Sequence, residues 1–193
     1  MALTAGTPTV STAQQVFGTG SILGAGSMRI TTSKNSTEWN ADNWTWEGRY
    51  RRTSNSGYHG LAFFTDNLQI RLDDSTGGSG TWRLRIILDG VQLAISSSAS
   101  TLNTWDGWAV SVSKAGATYT YRILFNGALE TSGTSGNANM SLSQHASTSF
   151  ELGRQDSAGF AGMTGYMEEC RVTTVCRYTA TYALATEAFP NSL

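Results

Sequence analysis

Charge is scarce in this chain. Lys, Arg, Asp and Glu make up 14% of its 193 residues, against about 25% in an ordinary globular domain. Thirteen cations and fourteen anions leave a formal net charge of −1, which excludes a nucleic-acid partner recruited by bulk charge. Proline, histidine and cysteine each occur only twice. Cys170 and Cys176 make no disulfide framework, and His59 and His145 lie too far apart in sequence for a helical zinc pair. No window approaches the roughly 18 apolar residues of a membrane span, so no membrane insertion is expected. Met1 to Val10 has no basic segment followed by an apolar one, so no secretory leader is expected. The sequons at Asn35, Asn43 and Asn139 are then read as coincidence in a Ser- and Thr-rich chain, and both thiols as free.

What is present is β-forming. The chain carries 21 Gly, 6 Trp, 7 Tyr and 7 Phe, enough aromatic bulk for one core and too little Ala, Glu, Lys and Leu for a helical bundle. Apolar alternation with period two recurs between turn signals. Trp44, Trp46, Gly48 and Tyr50 share one face, with Thr45, Glu47, Arg49 and Arg51 on the other, which predicts a half-buried strand. Leu68, Ile70 and Leu72 repeat the pattern, as do Trp108, Val110 and Val112. Tyr119, Tyr121, Ile123 and Phe125 run into Asn126-Gly127, a pair that accepts positive φ and predicts a two-residue hairpin. Asp89-Gly90 predicts a second, entered through Leu84, Ile86 and Leu88 and left through Val91, Leu93 and Ile95. Residues 1–15 lack sustained alternation and are read as an arm, residues 16–193 as the domain, with an extended tail from about 177 preferred over a helix. The expected fold class is all-β, a sandwich or barrel of antiparallel strands.

The stretch from Gly165 through Tyr166, Met167, Glu168, Glu169, Cys170, Arg171, Val172 and Thr173, then Arg177-Tyr178-Thr179 and Ala188-Phe189-Pro190, resembles the C-terminal signature of laminin G-like domains. It is most similar to the concanavalin A-like version found in tailed-bacteriophage virion proteins. Asn103-Thr104-Trp105, Phe125-Asn126-Gly127 and Trp44-Thr45-Trp46-Glu47 fall in the order of that family, so the likeness covers about residues 16 to 190. It implies a two-sheet antiparallel jelly-roll sandwich whose tail crosses the sheets. The family's tail prolines are absent at Leu184, Ala185 and Ala188, and Met167 is out of phase with Cys170 and Val172 unless a bulge intervenes.

The resemblance implies a non-enzymatic structural protein of a phage particle, most simply a capsid decoration protein. It would be assembled in the bacterial cytoplasm, resident in the virion and in contact with capsid or tail subunits or with further copies of itself. The alternative is a glycan-binding adhesion module on a tail or appendage, directed at host-surface polysaccharide. For that role the candidates are Tyr58, His59 and Trp82, which flank Gly/Ser loops, and Trp39; packing beneath the loops is their competing role. No cofactor is expected, although such folds hold calcium at a rim and Asp42, Asp66, Asp73, Asp74 and Asp156 are available carboxylates. Arg49, Arg51 and Arg52 share a strand and its end and could meet a partner. Retaining glycoside hydrolysis needs two carboxylates about 5 Å apart on one face. Glu168 and Glu169 are adjacent and would point to opposite faces of a regular strand, and no nucleophile motif occurs. Purified protein is therefore expected to leave β-glucans, alginate and peptidoglycan intact in reducing-end assays; turnover abolished by Glu168→Gln or Glu169→Gln would overturn this.

Overall fold

The apolar alternation closes into antiparallel ladders. A computed structural model describes residues 2–5, 9–31, 41–55, 59–64, 67–74, 81–145, 151–153 and 163–189. Thirteen strands run in chain order: β1 Ala2–Ala5, β2 Thr9–Ser11, β3 Ser21–Thr31, β4 Trp44–Arg52, β5 His59–Phe64, β6 Leu68–Asp74, β7 Trp82–Leu88, β8 Val91–Ser100, β9 Trp105–Ala115, β10 Thr118–Phe125, β11 Ala128–Ser135, β12 Glu151–Leu152 and β13 Met163–Thr173. Only two short 3-10 turns, Ala138–Met140 and Leu142–His145, interrupt the β structure of the described residues. The strand order is β11-β10-β9-β4-β13-β3-β12-β5-β6-β7-β8. β3 belongs to both layers of the sandwich. Its first half pairs with β13, the register jumps between Ala25 and Met28, and its last residues pair with β12. The two strands within residues 1–15 both lie along β3, β2 on Ser21–Leu23 and β1 on Arg29–Thr31.

The core fills the space between the sheets. Trp44, Trp46 and Tyr50 of β4 and Trp108, Val110 and Val112 of β9 meet Leu61 and Phe64 of β5, Leu68, Ile70 and Leu72 of β6, and Trp82, Leu84 and Ile86 of β7, each at most 3% exposed. Trp46 stands 4.8 Å from Phe64 and 6.4 Å from Trp108, tilted against both. Both expected hairpins form, with φ of 51° and 76° at Asp89 and Gly90 and of 49° and 83° at Asn126 and Gly127. β8 departs from the sequence expectation. A bulge at Leu93 resets its register, so Ala94 and Ser96 are the fully buried positions, Leu93 packs against the core only partly buried, and Val91 is 69% exposed. Ser96 Oγ accepts from Leu84 N at 3.0 Å and donates to Ser98 O at 2.7 Å, which makes a buried hydroxyl acceptable there. The edge strands β8 and β11 are joined by side chains. The Glu130 carboxylate takes the backbone N–H and hydroxyl of both Ser97 and Ser98, and Thr131 Oγ1 donates to Ile95 O at 2.6 Å, so neither edge is left as a free template.

The strand ends near β4's C-terminus carry a buried polar cluster. Arg52 lies on the inward parity of β4, 2% exposed, with its guanidinium 4.9 Å from the Trp82 ring. It donates to Ser54 O and Ser100 O, both at 3.0 Å, and to Asn55 Oδ1. Asp106 receives Ser100 Oγ at 2.7 Å and Asn126 Nδ2 at 3.0 Å, yet burial still raises its pKa. His59, wholly buried, accepts at Nδ1 from Thr164 N at 3.2 Å and lies 2.5 Å from the Tyr50 hydroxyl. A proton on Nδ1 would face the Thr164 N–H, so the neutral Nε2–H tautomer fits this site. Burial, then the Arg52 charge, lowers the His59 pKa to about 4.

The unfolded chain protonates His59 near pH 6.5 and the folded chain only near 4, so folding stability is full above 6.5 and falls as pH drops between these values. By pH 5 the loss attributable to His59 is about 2 kcal/mol. Urea unfolding at pH 7.5 and 5.0 should show it, and His59→Gln should remove that part of the pH dependence while lowering stability at pH 7.5. An unchanged pH dependence in the variant would overturn the assignment.

Candidate functional site

Two of the four residues expected to hold a glycan, His59 and Trp82, lie inside the sandwich. His59 and Trp82 are 0% and 1% exposed, ring edge against ring face at 4.8 Å, so both belong to the core and offer a sugar no accessible face. Trp39 and Tyr58 lie outside the described residues, as do Asp66 and Asp156. Asp73 is buried between Arg71 and Arg85, at 2.6 and 2.5 Å. Asp42 is held by Lys114 Nζ at 2.9 Å and Tyr119 Oη at 3.1 Å, and hydrogen bonds from Ser141 and Lys114 keep its pKa below the usual carboxylate value. Of Asp74 only the backbone is described. Among the described residues no three His, Cys, Asp or Glu side chains converge as a metal site.

The surface with functional chemistry is the outer face of the sheet formed by β13, β4, β9 and β10. Cross-strand register arranges it in rows. Thr45, Ser111 and Thr173 form one; Glu47, Ala109 and Arg171 the next; then Arg49, Gly107 and Glu168; and last Arg51, Trp105 and Tyr166. A single extra residue in β13 makes the second and third rows possible. The register shifts between Glu168 and Arg171, Glu169 takes φ 54°, and Cys170 and Val172 turn toward the core. This is the bulge that the phase of Met167 requires. The Cys170 thiol, pressed against Gly48 and flanked by Glu169 and Glu168, has its pKa raised, mainly by burial.

β4 is not half-buried as its alternation suggests. Thr45 and Glu47, on the outward parity, are 0% and 2% exposed because residues 174–189 run over them. The tail holds no helix and traces a loop. Thr45 Oγ1 accepts from Arg177 N at 2.8 Å, Tyr182 N donates to Gly127 O at 2.9 Å, Arg49 Nη2 donates to Ala185 O at 2.5 Å, and Phe189 N donates to Glu169 Oε2 at 2.5 Å. Leu184, where the resemblance has proline, lies against Gly107 and Gly127; a Cβ on Gly107 would come within 2.5 Å of it. Phe189 packs under the Arg171 guanidinium at 3.7 Å, and Tyr178 stacks on Tyr182 at 3.9 Å.

The loop encloses a cleft of about 690 Å³. Its polar centre is Glu47. Oε1 takes Arg171 Nη2 at 2.8 Å and Nε at 3.1 Å and lies 3.3 Å from Arg177 Nε; Oε2 accepts the Tyr178 hydroxyl at 2.6 Å. Burial and the Glu47 carboxylate raise the Tyr178 pKa, and burial raises that of Tyr182, so both phenols stay protonated at neutral pH. The other outer-face carboxylates are equally engaged: Glu168 accepts Val16 N and Phe17 N at 2.6 and 2.7 Å, and Glu169 holds Phe189 N.

The last row lies one repeat, about 7 Å, beyond Arg49 and Gly107, which the tail residues Ala185 and Leu184 contact. Trp105, Arg51 and Tyr166 are all partly buried. The two rings stand 6.5 Å apart at 51°, and the Arg51 guanidinium is 5.6 Å from the Tyr166 centroid. Sequence reasoning saw these residues singly. Parity alone could have put Arg51 and Trp105 on outward faces, but the register joining them to Tyr166 is a tertiary fact.

No protein-family model matches the sequence, and no curated protein matches it. Solved structures do. A candidate carbohydrate-binding protein from Bacteroides ovatus superposes with a TM-score of 0.64 at 18% identity, over 78% of this chain and 42% of its own length. Domain 4 of a GH43 extracellular arabinanase from Geobacillus stearothermophilus, solved with arabinotriose, gives 0.60 at 15% identity, over 94% of this chain and 79% of its own. The enzymatically active domain of tailspike protein 2 of bacteriophage CBA120 gives 0.57 at 14% identity, over 88% of this chain. This chain spans 27% of that one and less than half of the Bacteroides protein. The shared architecture is the concanavalin A-like, laminin G-like jelly-roll sandwich.

Glu47→Gln should loosen the tail, because two guanidiniums lose their shared charge while the volume is kept. A loss of about 2 kcal/mol, or roughly 5 °C in Tm, is expected, less than for a fully buried pair because Arg171 and Arg177 are partly solvated. Limited proteolysis should then cut between residues 174 and 189 before the sheets open. A cleavage pattern identical to the parent's would show that Glu47 does not hold the tail.

Proposed function

We propose that this chain is a non-enzymatic structural protein of a tailed-bacteriophage particle, specifically a capsid decoration protein that contacts other virion subunits and is assembled in the bacterial cytoplasm. The observation that carries the non-enzymatic reading is the state of the carboxylates. Each described glutamate on the outer face is bound by backbone N–H groups or by Arg and Tyr side chains of the same chain. None of them is left as a same-face pair flanking open space, the arrangement that glycoside hydrolysis requires. The likeness to a phage tailspike domain over 88% of the chain, together with the virion-protein signature ending at Phe189-Pro190, supports the phage context.

A second reading, a glycan-binding module on a tail or appendage, is favoured by one specific feature, the partly exposed outer-face row of Trp105, Arg51 and Tyr166. The likeness to two carbohydrate-associated folds adds to it. Mass spectrometry and electron microscopy of purified particles separate the readings. The decoration role predicts sandwich-shaped density repeated over the capsid lattice; density confined to the tail would replace it with the second reading, and absence from the particle would overturn both.

A further inference from the structure

We infer that the row of Trp105, Arg51 and Tyr166 is a binding site for an acidic saccharide, with the two rings stacking on pyranose C–H faces and the guanidinium taking a sugar carboxylate. This rests on the glycan-binding reading above and names its site and ligand class. Three observations lead to it. The rings are partly buried side chains on β9 and β13, the two strands that flank β4, and ladder register holds them on a rigid sheet. At 6.5 Å and 51° they are a tilted pair in mutual contact, which leaves their solvent side, not a gap between them, for one or two sugar residues. Arg51 has no carboxylate within ion-pair distance among the described residues, whereas Arg171 and Arg177 share Glu47 and Arg49 is tied to Ala185 O and covers Phe17 at 4.9 Å. The nearest carboxylate in the adjoining row, Glu168, is consumed by Val16 N and Phe17 N.

A guanidinium against the Tyr166 ring, with Trp105 on the other flanking strand, selects a ligand that carries both an anion and apolar C–H surface. A hexuronate or other acidic sugar unit has both. A protein partner would need about 800 Å² on each side, and among the described residues the large exposed apolar ones, Val10, Val91, Leu129 and Val175, are dispersed over β2, β8, β11 and the tail. The site is therefore sized for a small repeating unit.

The test is calorimetric titration and affinity electrophoresis of the full chain with polygalacturonate and alginate as acidic probes and dextran and galactomannan as neutral ones. The parent should bind an acidic probe, Trp105→Ala and Tyr166→Ala should each weaken it at least tenfold with unchanged circular dichroism, and Arg51→Gln should cut the preference for acidic over neutral probes at least fivefold. Should one aromatic variant fail to fold, the other and Arg51→Gln still decide. Binding that survives all three substitutions overturns the site and leaves the glycan reading standing. Equal binding of neutral probes that Arg51→Gln leaves unchanged overturns the acidic assignment. No binding by the parent to any of the four overturns both.

Discussion

One inserted residue organises the outer surface of this protein. Glu169, at φ 54°, is the extra residue of a β-bulge opposite Gly48, and its presence shifts every later side chain of β13 by one position. Cys170 and Val172 thereby reach the core, and Arg171 points outward beside Glu47. Without the bulge Arg171 would be directed at the tryptophan layer and Glu47 would lose its main partner. The same backbone turn lets both glutamates serve the outer face, Glu168 toward residues 16 and 17 and Glu169 toward Phe189. The C-terminal tail and the segment after β2 are both anchored through it.

The tail in turn changes the physical character of β4 and β9. A sheet with one solvated face can carry polar residues there at no cost, and the sequence of β4 has the alternation of such a strand. Covering that face buries Thr45, Glu47 and Ser111, and each buried polar group then requires a partner. The tail supplies most of them from its own backbone and side chains: Arg177 N and Val175 O at Thr45, Tyr178 N at Ser111, and the Arg177 and Tyr178 side chains at Glu47. Glycines make the approach possible. Gly107 and Gly127 leave the space that Leu184 occupies, which allows the tail to be held by side-chain fit where the resemblance would use the rigidity of proline.

Function is separated by the same boundary. Under the tail, charge is matched internally, with one carboxylate serving two guanidiniums and a phenol, so that region acts as a clasp. One row further along β4, two partly buried rings flank a guanidinium with no carboxylate partner among the described residues. The interior shows a comparable division. The tryptophans form the sandwich core, while Arg52 and His59 satisfy the backbone where the chain leaves the strands and Asp106 takes the Ser100 and Asn126 side chains. Arg49, Arg51 and Arg52, close in sequence, thus do three different things: fastening the tail, facing solvent and bracing loops from inside.

Period-two patterning determined much of this protein by itself. The strands around Trp46, Ile70, Val110 and Ile123, both Gly-containing hairpin turns and the need for a bulge after Met167 are all legible in sequence, because side-chain parity and positive φ are local properties. Arg52, which the sequence grouped with Arg49 and Arg51 as able to meet a partner, instead points inward with the parity of Trp46 and Tyr50. What local pattern cannot carry is register between distant strands and the identity of what covers a face. That is why β8 reads as Val91, Leu93 and Ile95 inward until the Leu93 bulge reverses it, and why β4 reads as half-solvated until the tail lies on it. The same limit explains the site. His59 and Trp82 border Gly- and Ser-rich loops in sequence, which suggested a sugar platform, yet they point into the sandwich. Trp105, Arg51 and Tyr166 are scattered over more than a hundred residues and become neighbours only when β9, β4 and β13 pair, since a binding surface on a sheet is made by hydrogen-bond register between strands.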